Sequence, residues 1–235
     1  MALSQSQPAR RVLVVEDEEA IRRGLLDVFA FHGYAPEGAV RGDHGLELAR
    51  EHDFDLVILD LMLPGLSGFE LCRRLRGERP RLPILILSAR GAEEDVLRAF
   101  RCGSDDYVTK PFSVAELVAR ASALLRRAAS PARNGVAPPF SFAGWEIDPA
   151  SLCGRRGDEC VELTRREAEL LHLFQSEPGR IVSRRRLLHE LWGYPDPRRV
   201  ETRTVDMHIA KLRRKLGPEG ARIETVRGEG YRFAG

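Results

Sequence analysis

With 235 residues, 43% of them hydrophobic, the chain is longer than one typical domain and apolar enough to build real cores. No apolar run approaches a membrane span, and residues 1–10 lack the apolar stretch of a secretion signal; they read as a loose tail on a cytosolic protein with no membrane contact. The net charge of +2 conceals a split, with 18 Lys+Arg against 20 Asp+Glu in residues 1–130 and 19 against 15 in the remainder, so a polyanionic partner is expected only for the C-terminal half.

Short β-rich apolar runs at 12–15, 34–40, 56–59, 84–87 and 107–109 alternate with segments of helical period. That alternation predicts five parallel strands covered by helices, an α/β doubly wound (βα)5 domain over residues 11–125. Gly33 and Gly103 stand where a glycine would stop the first and fourth helices. Ser67-x-x-Glu70 and Ser113-x-x-Glu116 read as capping boxes opening the third and fifth.

Residues 126–139 lose the apolar rhythm to Arg, Ala, Ser, Asn and Pro and read as a linker. Beyond it, strand-like pieces at 140–163 precede a third capping box, Thr164-x-x-Glu167, which introduces Ala168, Leu170, Leu171, Leu173 and Phe174. Ser183 can cap a second helix running to Trp192, residues 201–216 form a third, and 223–233 carry a Gly-rich hairpin signal. Sheet, three helices and hairpin predict an α+β winged helix-turn-helix domain over 140–235. Cys72, Cys102, Cys153 and Cys160 form no C-x-x-C or zinc-ligand spacing; all four are expected to be free thiols in a reducing compartment.

The chemistry gathers at the strand ends. Asp60 closes the run Leu56-Val57-Ile58-Leu59, Glu16 and Asp17 follow the first strand, Ser88 ends the fourth, and Lys110 follows the fifth. In an open doubly wound sheet ligands bind beyond the carboxyl ends of the strands, where strand order reverses. Three carboxylates converging there repel one another, which a hard oxygen-liganded cation such as Mg2+ relieves. Lys110 can then neutralise a phosphoryl oxygen while Asp60 attacks as nucleophile, giving an aspartyl phosphate. Ser88 can offer its hydroxyl to the new group, and Tyr107 can change rotamer as the loop moves.

The segments Val-Val-Glu-Asp-Glu (14–18), Leu-Asp-Leu-Met-Leu-Pro-Gly (59–65), Leu-Ser-Ala-Arg (87–90) and Asp-Asp-Tyr-Val-Thr-Lys-Pro-Phe (105–112) closely resemble the receiver domain of two-component response regulators. The back half is similar to the effector domain of the OmpR/PhoB subfamily. The resemblance implies a flavodoxin-like receiver with Asp60 as phosphoacceptor and Lys110 as phosphate-binding lysine. It implies Mg2+ held directly by Asp17, Asp60 and the Met62 carbonyl, with Glu16 acting through water, and a Ser88/Tyr107 switch pair. It further implies a sensor histidine kinase as donor, double-stranded DNA and RNA polymerase as partners, the latter through a loop at 194–200, and a homodimer on activation.

In the third helix Val205, Ile209, Leu212 and Leu216 form one apolar stripe. The opposite face would present Arg203, Thr204, Met207, His208, Lys211, Arg214 and Lys215 to phosphates and base edges. By resemblance Arg227, in the terminal hairpin, enters a minor groove. Asp206 is expected to orient a neighbouring arginine or accept from a cytosine amino group, and Trp145 and Trp192 to be core residues. Asp106, Glu116 and Arg120 stand where the family pairs receivers, whereas Val96, Arg101 and Ser122 replace charged partners common there, and Ala210 replaces a polar residue common on the DNA face. Two rivals remain: a constitutive DNA binder whose receiver does not switch, and an aspartyl-phosphate phosphohydrolase. The latter commonly needs an acid two residues after the nucleophile, where this chain has Met62.

Overall fold

A computed structural model describes residues 9–89, 93–128, 137–194 and 203–235. The expected N-terminal tail up to residue 8, Arg90, most of the linker, the 195–200 part of the loop and the first two residues of the third effector helix, 201 and 202, lie outside the described residues.

The N-terminal half alternates β1 (Arg11–Val15), α1 (Glu19–Phe31), β2 (Ala35–Ala39), α2 (Gly42–Glu51), β3 (Leu56–Leu59), α3 (Gly68–Glu78), β4 (Ile84–Ser88), α4 (Glu93–Arg101), β5 (Asp106–Thr109) and α5 (Val114–Ala128). All five strands are parallel, in the order β2-β1-β3-β4-β5. Because successive strand residues face opposite ways, each central strand feeds two cores. Leu13, Val15, Val57, Leu59, Ile84 and Ile86 meet residues of α2, α3 and α4. Val12, Val14, Leu56, Ile58, Leu85 and Leu87 meet Leu25 and Phe29 of α1 and Leu117, Ala121, Leu124 and Leu125 of α5.

Helix punctuation follows the sequence at most positions. Gly33 and Gly103 end α1 and α4 at φ 80° and 99°. Ser67 accepts from the Glu70 amide at the start of α3. Glu116, expected to close a box with Ser113, places its carboxylate on Arg120. Gly68 has a different duty: a Cβ there would lie 2.0 Å from the Asp60 carbonyl oxygen, so only glycine lets α3 begin against the loop that carries Asp60.

The C-terminal half opens with an antiparallel meander of β6 (Phe140–Phe142), β7 (Trp145–Asp148), β8 (Cys153–Arg156) and β9 (Glu159–Glu162). There follow α6 (Arg165–Ser176), β10 (Ile181–Ser183) and α7 (Arg184–Leu187), which continues as a π-helical turn over Leu188–Trp192. Last come α8 (Thr204–Lys215), a 3-10 segment (Gly217–Arg222) and the hairpin β11 (Ile223–Val226) and β12 (Gly230–Phe233). β10, hidden in sequence because it is only three residues long, joins β12 as a third strand. The expected stripe Val205, Ile209, Leu212 and Leu216 is buried in this core with Leu170, Leu171, Phe174 and the stacked pair Phe142 and Phe233. Among the described residues no helix is long and apolar enough to cross a membrane.

The Thr164/Glu167 capping box forms in both directions, with the Glu167 amide donating to Thr164 Oγ1 at 3.3 Å and the Thr164 amide to Glu167 Oε2 at 2.7 Å. The same buried carboxylate forms an ion pair with Lys211 Nζ at 3.1 Å and accepts a hydrogen bond from Lys215 Nζ at 2.7 Å, so it bolts α8 to the start of α6. Burial opposes its charge, but the two ammonium groups win and hold its pKa at about 2. Its folded value lies below its unfolded one, so its stabilisation is complete above pH ~4.5 and disappears as pH falls toward ~2. Glu167→Ala should destabilise the C-terminal domain by about 3–5 kcal/mol at neutral pH in urea melts, because it strands a buried cation, and should flatten the wild-type loss of stability below pH ~4.5.

Candidate functional site

The sheet order reverses between β1 and β3, and the crevice beyond their carboxyl ends receives Glu16, Asp17 and Asp60. One oxygen from each carboxylate lies within 4.8 Å of the others. Glu16 and Asp60 are buried and Asp17 is exposed. Lys110 reaches in from the end of β5, donating to Glu16 Oε1 at 2.9 Å and Oε2 at 2.8 Å and also to Asp60 Oδ2. The Lys110–Pro111 peptide bond beside it is cis.

Several backbone contacts fix the cluster. The Met62 amide donates to Asp60 Oδ1 at 2.9 Å, leaving the Met62 side chain exposed. Arg22 of α1 holds the turn after β1 by donating to the carbonyls of Glu16 at 2.9 Å and Asp17 at 3.2 Å. Burial raises the Glu16 pKa to about 6; the negative charge of Asp60 pushes the same way and Lys110 opposes both. Burial works against the Lys110 charge, yet its hydrogen bonds to Asp60 and Glu16 prevail and its pKa is raised. Ser88 is buried at the end of β4, its carbonyl accepting the Lys110 amide at 2.9 Å. Tyr107 is buried, its ring centroid 6.5 Å from that of Phe100 in α4.

The donor set suits a hard divalent cation: three carboxylates, two of them buried, with the pKa of Glu16 raised to about 6 chiefly by that burial. Sequence reading placed Glu16, Asp17, Asp60, Ser88 and Lys110 at strand ends, and the fold brings the carboxylates and Lys110 together. It missed Arg22, which carries no signal beyond a helical arginine.

The helix expected to read DNA is arranged differently from the sequence expectation. The face opposite the apolar stripe is only partly open to solvent: Thr204, Met207, His208 and Lys211 are all buried. Arg203, Arg214 and Arg227 are exposed. α8 packs on α4, and the π-helical turn after α7 packs on α5. Met207 joins the receiver-side core. His208 sits between Phe100 and Trp192, with ring centroids 4.8 and 5.1 Å away, and its Nε2 lies 3.3 Å from the Asp105 carbonyl oxygen. Trp192 Nε1 donates to the same carbonyl at 3.0 Å, so this tryptophan serves the seam between domains as well as its own core. Lys211 is committed to Glu167.

The three residues expected on an open pairing surface are likewise engaged within the chain. Asp106 and Arg120 are buried, joined at 3.1 Å, and the Thr204 hydroxyl donates to Asp106 Oδ1 at 2.7 Å. The Tyr194 hydroxyl donates to Asp106 Oδ2 and accepts from Arg120 Nη1 at 2.6 Å. Glu116 holds the far side of the Arg120 guanidinium at 2.6 Å. Burial and the nearby Asp106 charge push the Tyr194 pKa well up. Tyr194 was legible only as part of a loop, because its partners belong to the other domain. Asp206 does orient an arginine, accepting from Arg184 Nε at 2.8 Å. Ser122, expected as a missing ion-pair partner, lies 3.0 Å from the Tyr34 hydroxyl.

The profile described as "Response regulator receiver domain" matches residues 12–122, and "Transcriptional regulatory protein, C terminal" matches 157–233. The phosphate regulon transcriptional regulatory protein PhoB of Escherichia coli K12 is 43% identical over 230 residues, covering 96% of this chain and 98% of that protein. The chain belongs to the OmpR/PhoB family of response regulators. It is a two-component transcriptional regulator with a receiver and a DNA-binding domain. Among solved structures, the response regulator DrrB of Thermotoga maritima, an OmpR/PhoB homolog, is 30% identical with TM-score 0.51, covering 97% of this chain and 100% of that one. A mutant of RitR is 29% identical with TM-score 0.71, covering 96% of this chain and 99% of that one. The higher score over nearly whole chains means that both domains superimpose better in one frame on RitR than on DrrB.

His208 gives the seam a pH dependence. Burial lowers its pKa to about 4, against 6.5 when exposed, with Lys211 and Arg166 adding to the effect and Glu167 and Asp105 opposing it. The neutral ring therefore supports the closed arrangement fully above pH ~6.5, and that support is lost as pH falls toward ~4. Small-angle X-ray scattering should show a larger radius of gyration at pH 5 than at pH 7.5, and His208→Gln should remove most of that difference.

Proposed function

We propose that this regulator is switched by phosphorylation of Asp60, and that its resting form hides α8 against the receiver. The carrying observation is the Lys110 ammonium bridging Glu16 and Asp60 with Asp17 alongside. In this reading a receiver over 11–125, a linker over 126–139 and a winged-helix domain over 140–235 form the functional units. Asp17, Asp60 and the Met62 carbonyl would hold Mg2+, with Glu16 acting through water. The cation's contribution is to offset the negative charge that otherwise opposes a phosphoryl group in this crevice.

An Asp60 carboxylate oxygen attacks the phosphorus of a sensor kinase's phosphohistidine; the new P–O bond forms as the P–N bond breaks and the imidazole leaves. Lys110 transfers its contact from Asp60 to a phosphoryl oxygen, and Ser88 offers its hydroxyl to another. Tyr107 packs beside Phe100, the same α4 ring that supports His208, so movement in the Ser88 loop has a short packed route to the seam. Opening uncovers α8 for a major groove, with Arg203, Thr204, Met207, His208 and Arg214 facing DNA and Arg227 entering a minor groove. It also uncovers Asp106, Glu116 and Arg120 for pairing with a second copy, and the loop after Tyr194 for RNA polymerase. Lys211 is assigned to Glu167 first and to phosphate only secondarily. A covered reading helix argues against a constitutive binder, and Met62 in place of a second acid argues against phosphohydrolase turnover.

Incubation with acetyl phosphate and Mg2+ should add one phosphoryl group by intact mass; Asp60→Ala or chelation with EDTA should abolish it, and labelling of Asp60→Ala would overturn the chemistry. In gel shifts phosphorylated protein should bind target DNA more tightly than unphosphorylated protein, and Arg203→Ala and Arg227→Ala should each cost about 1–3 kcal/mol. Unaltered affinity in both variants would remove these residues from the interface.

A further inference from the structure

The four thiols, scattered in sequence, are not all scattered in space. Cys153 of β8 and Cys160 of β9 lie on the same face of one antiparallel hairpin, whose register pairs Cys153 with Glu162, Gly154 with Val161 and Arg155 with Cys160. Their sulfurs are 2.9 Å apart. Both are free thiols; Cys160 is exposed and Cys153 is half-buried, so the pair is open to small oxidants. A disulfide needs about 2.05 Å between sulfurs, an approach of roughly 0.9 Å that side-chain rotation and slight strand movement can supply. The hydrogen bond to Cys153 leads the causes that raise the Cys160 pKa, with Arg155 pulling the other way. The other two thiols differ in access, since both are buried. Cys72 is fully buried and burial pushes its pKa up to about 12; burial also raises that of Cys102.

We propose that Cys153 and Cys160 are a redox modification site: a peroxide converts them to a reversible disulfide that staples the β8–β9 hairpin of the DNA-binding domain. The thiolate of one cysteine attacks a peroxide oxygen, breaking the O–O bond; hydrogen peroxide is reduced to water and the sulfur is oxidised to a sulfenic acid. The second thiol attacks that sulfur, the S–S bond forms, and hydroxide leaves with the released proton as another water. Two thiols and one peroxide thus give one disulfide and two waters, and a dithiol reductant reverses the reaction by exchange. In a reducing compartment such a bond is transient and suited to sensing. The hairpin adjoins the seam: Ala150, Ser151 and Leu152, immediately before β8, line a cavity of about 560 Å3 shared with receiver residues, and Arg81 Nη2 donates to the Ala150 carbonyl at 3.2 Å.

The test treats reduced full-length protein with stoichiometric hydrogen peroxide, blocks remaining thiols with one alkylating agent, then reduces and labels with a second of different mass. The expected result is loss of two hydrogens by intact mass, a linked Cys153/Cys160 peptide, second-label incorporation at those two positions alone, and reversal by dithiothreitol. Asp60→Ala should close the bond to the same extent, separating this chemistry from the receiver. Cys160→Ser should leave Cys153 as a dimedone-trappable sulfenic acid with no linked peptide. Oxidation of Cys72 or Cys102 first, sulfinic acid at Cys160 without a link, a bond between two chains on a non-reducing gel, or no reaction would each overturn the proposal.

Discussion

The Lys110 ammonium between Glu16 and Asp60 resolves the conflict on which the receiver is built. Two carboxylates buried at neighbouring strand ends cannot both keep full charge without a cation, and Lys110 supplies one on a strand end of the same sheet. Lys110 does not return Glu16 to the usual carboxylate range, because burial, with the charge of Asp60 adding to it, holds its pKa at about 6. Three carboxylates gathered around one lysine keep the site attractive to a further cation and keep Asp60 surrounded by groups that can regroup around a phosphoryl oxygen. A receiver with its carboxylates fully neutralised would be more stable and less responsive.

A different buried carboxylate, Asp106, sets the relation between the halves. It accepts from Arg120 and Tyr107 of its own domain and from Tyr194 and Thr204 of the other. A buried ion pair with unfilled lone pairs is costly, and here the missing partners come from the effector domain. The seam is therefore specific without being built from apolar area alone. Phe100, His208 and Trp192 add an aromatic sandwich beside it. Thr204, Met207, His208, Asp106 and Arg120, which help close this seam, are among the residues sequence reading assigned to DNA contact and receiver pairing, so one surface is reserved for occupants that exclude one another.

The fold was legible because its signals are local. Central strands buried on both faces read as continuous apolar runs, and the Thr164/Glu167 box announced α6 through chemistry confined to four residues. The strand-end acids were legible for the same reason: each breaks an apolar run where a sheet of this type has its crevice. The seam was not legible, because its determinants are pairs far apart in the sequence, such as Arg120 with Tyr194, 74 residues apart, and Asp105 with His208, 103 apart. An amphipathic pattern shows that α8 has a polar face; it carries no information about whether that face meets water, DNA or another domain. Lys211 illustrates the point, since a helical lysine opposite an apolar stripe reads as solvent-facing, whereas its partner Glu167 lies in a capping box that is already complete without it.

The double attachment of α8 to Glu167 bears on how ionic strength would govern recognition. Lys211 and Lys215 are neutralised within the domain, and Arg213 is spent on the Ile223 carbonyl and the Thr225 hydroxyl. Few of the helix's cations are left to displace counterions from a polyphosphate. Affinity would then decline gently with added salt, and discrimination between sequences would lean on shape and base edges more than on bulk attraction.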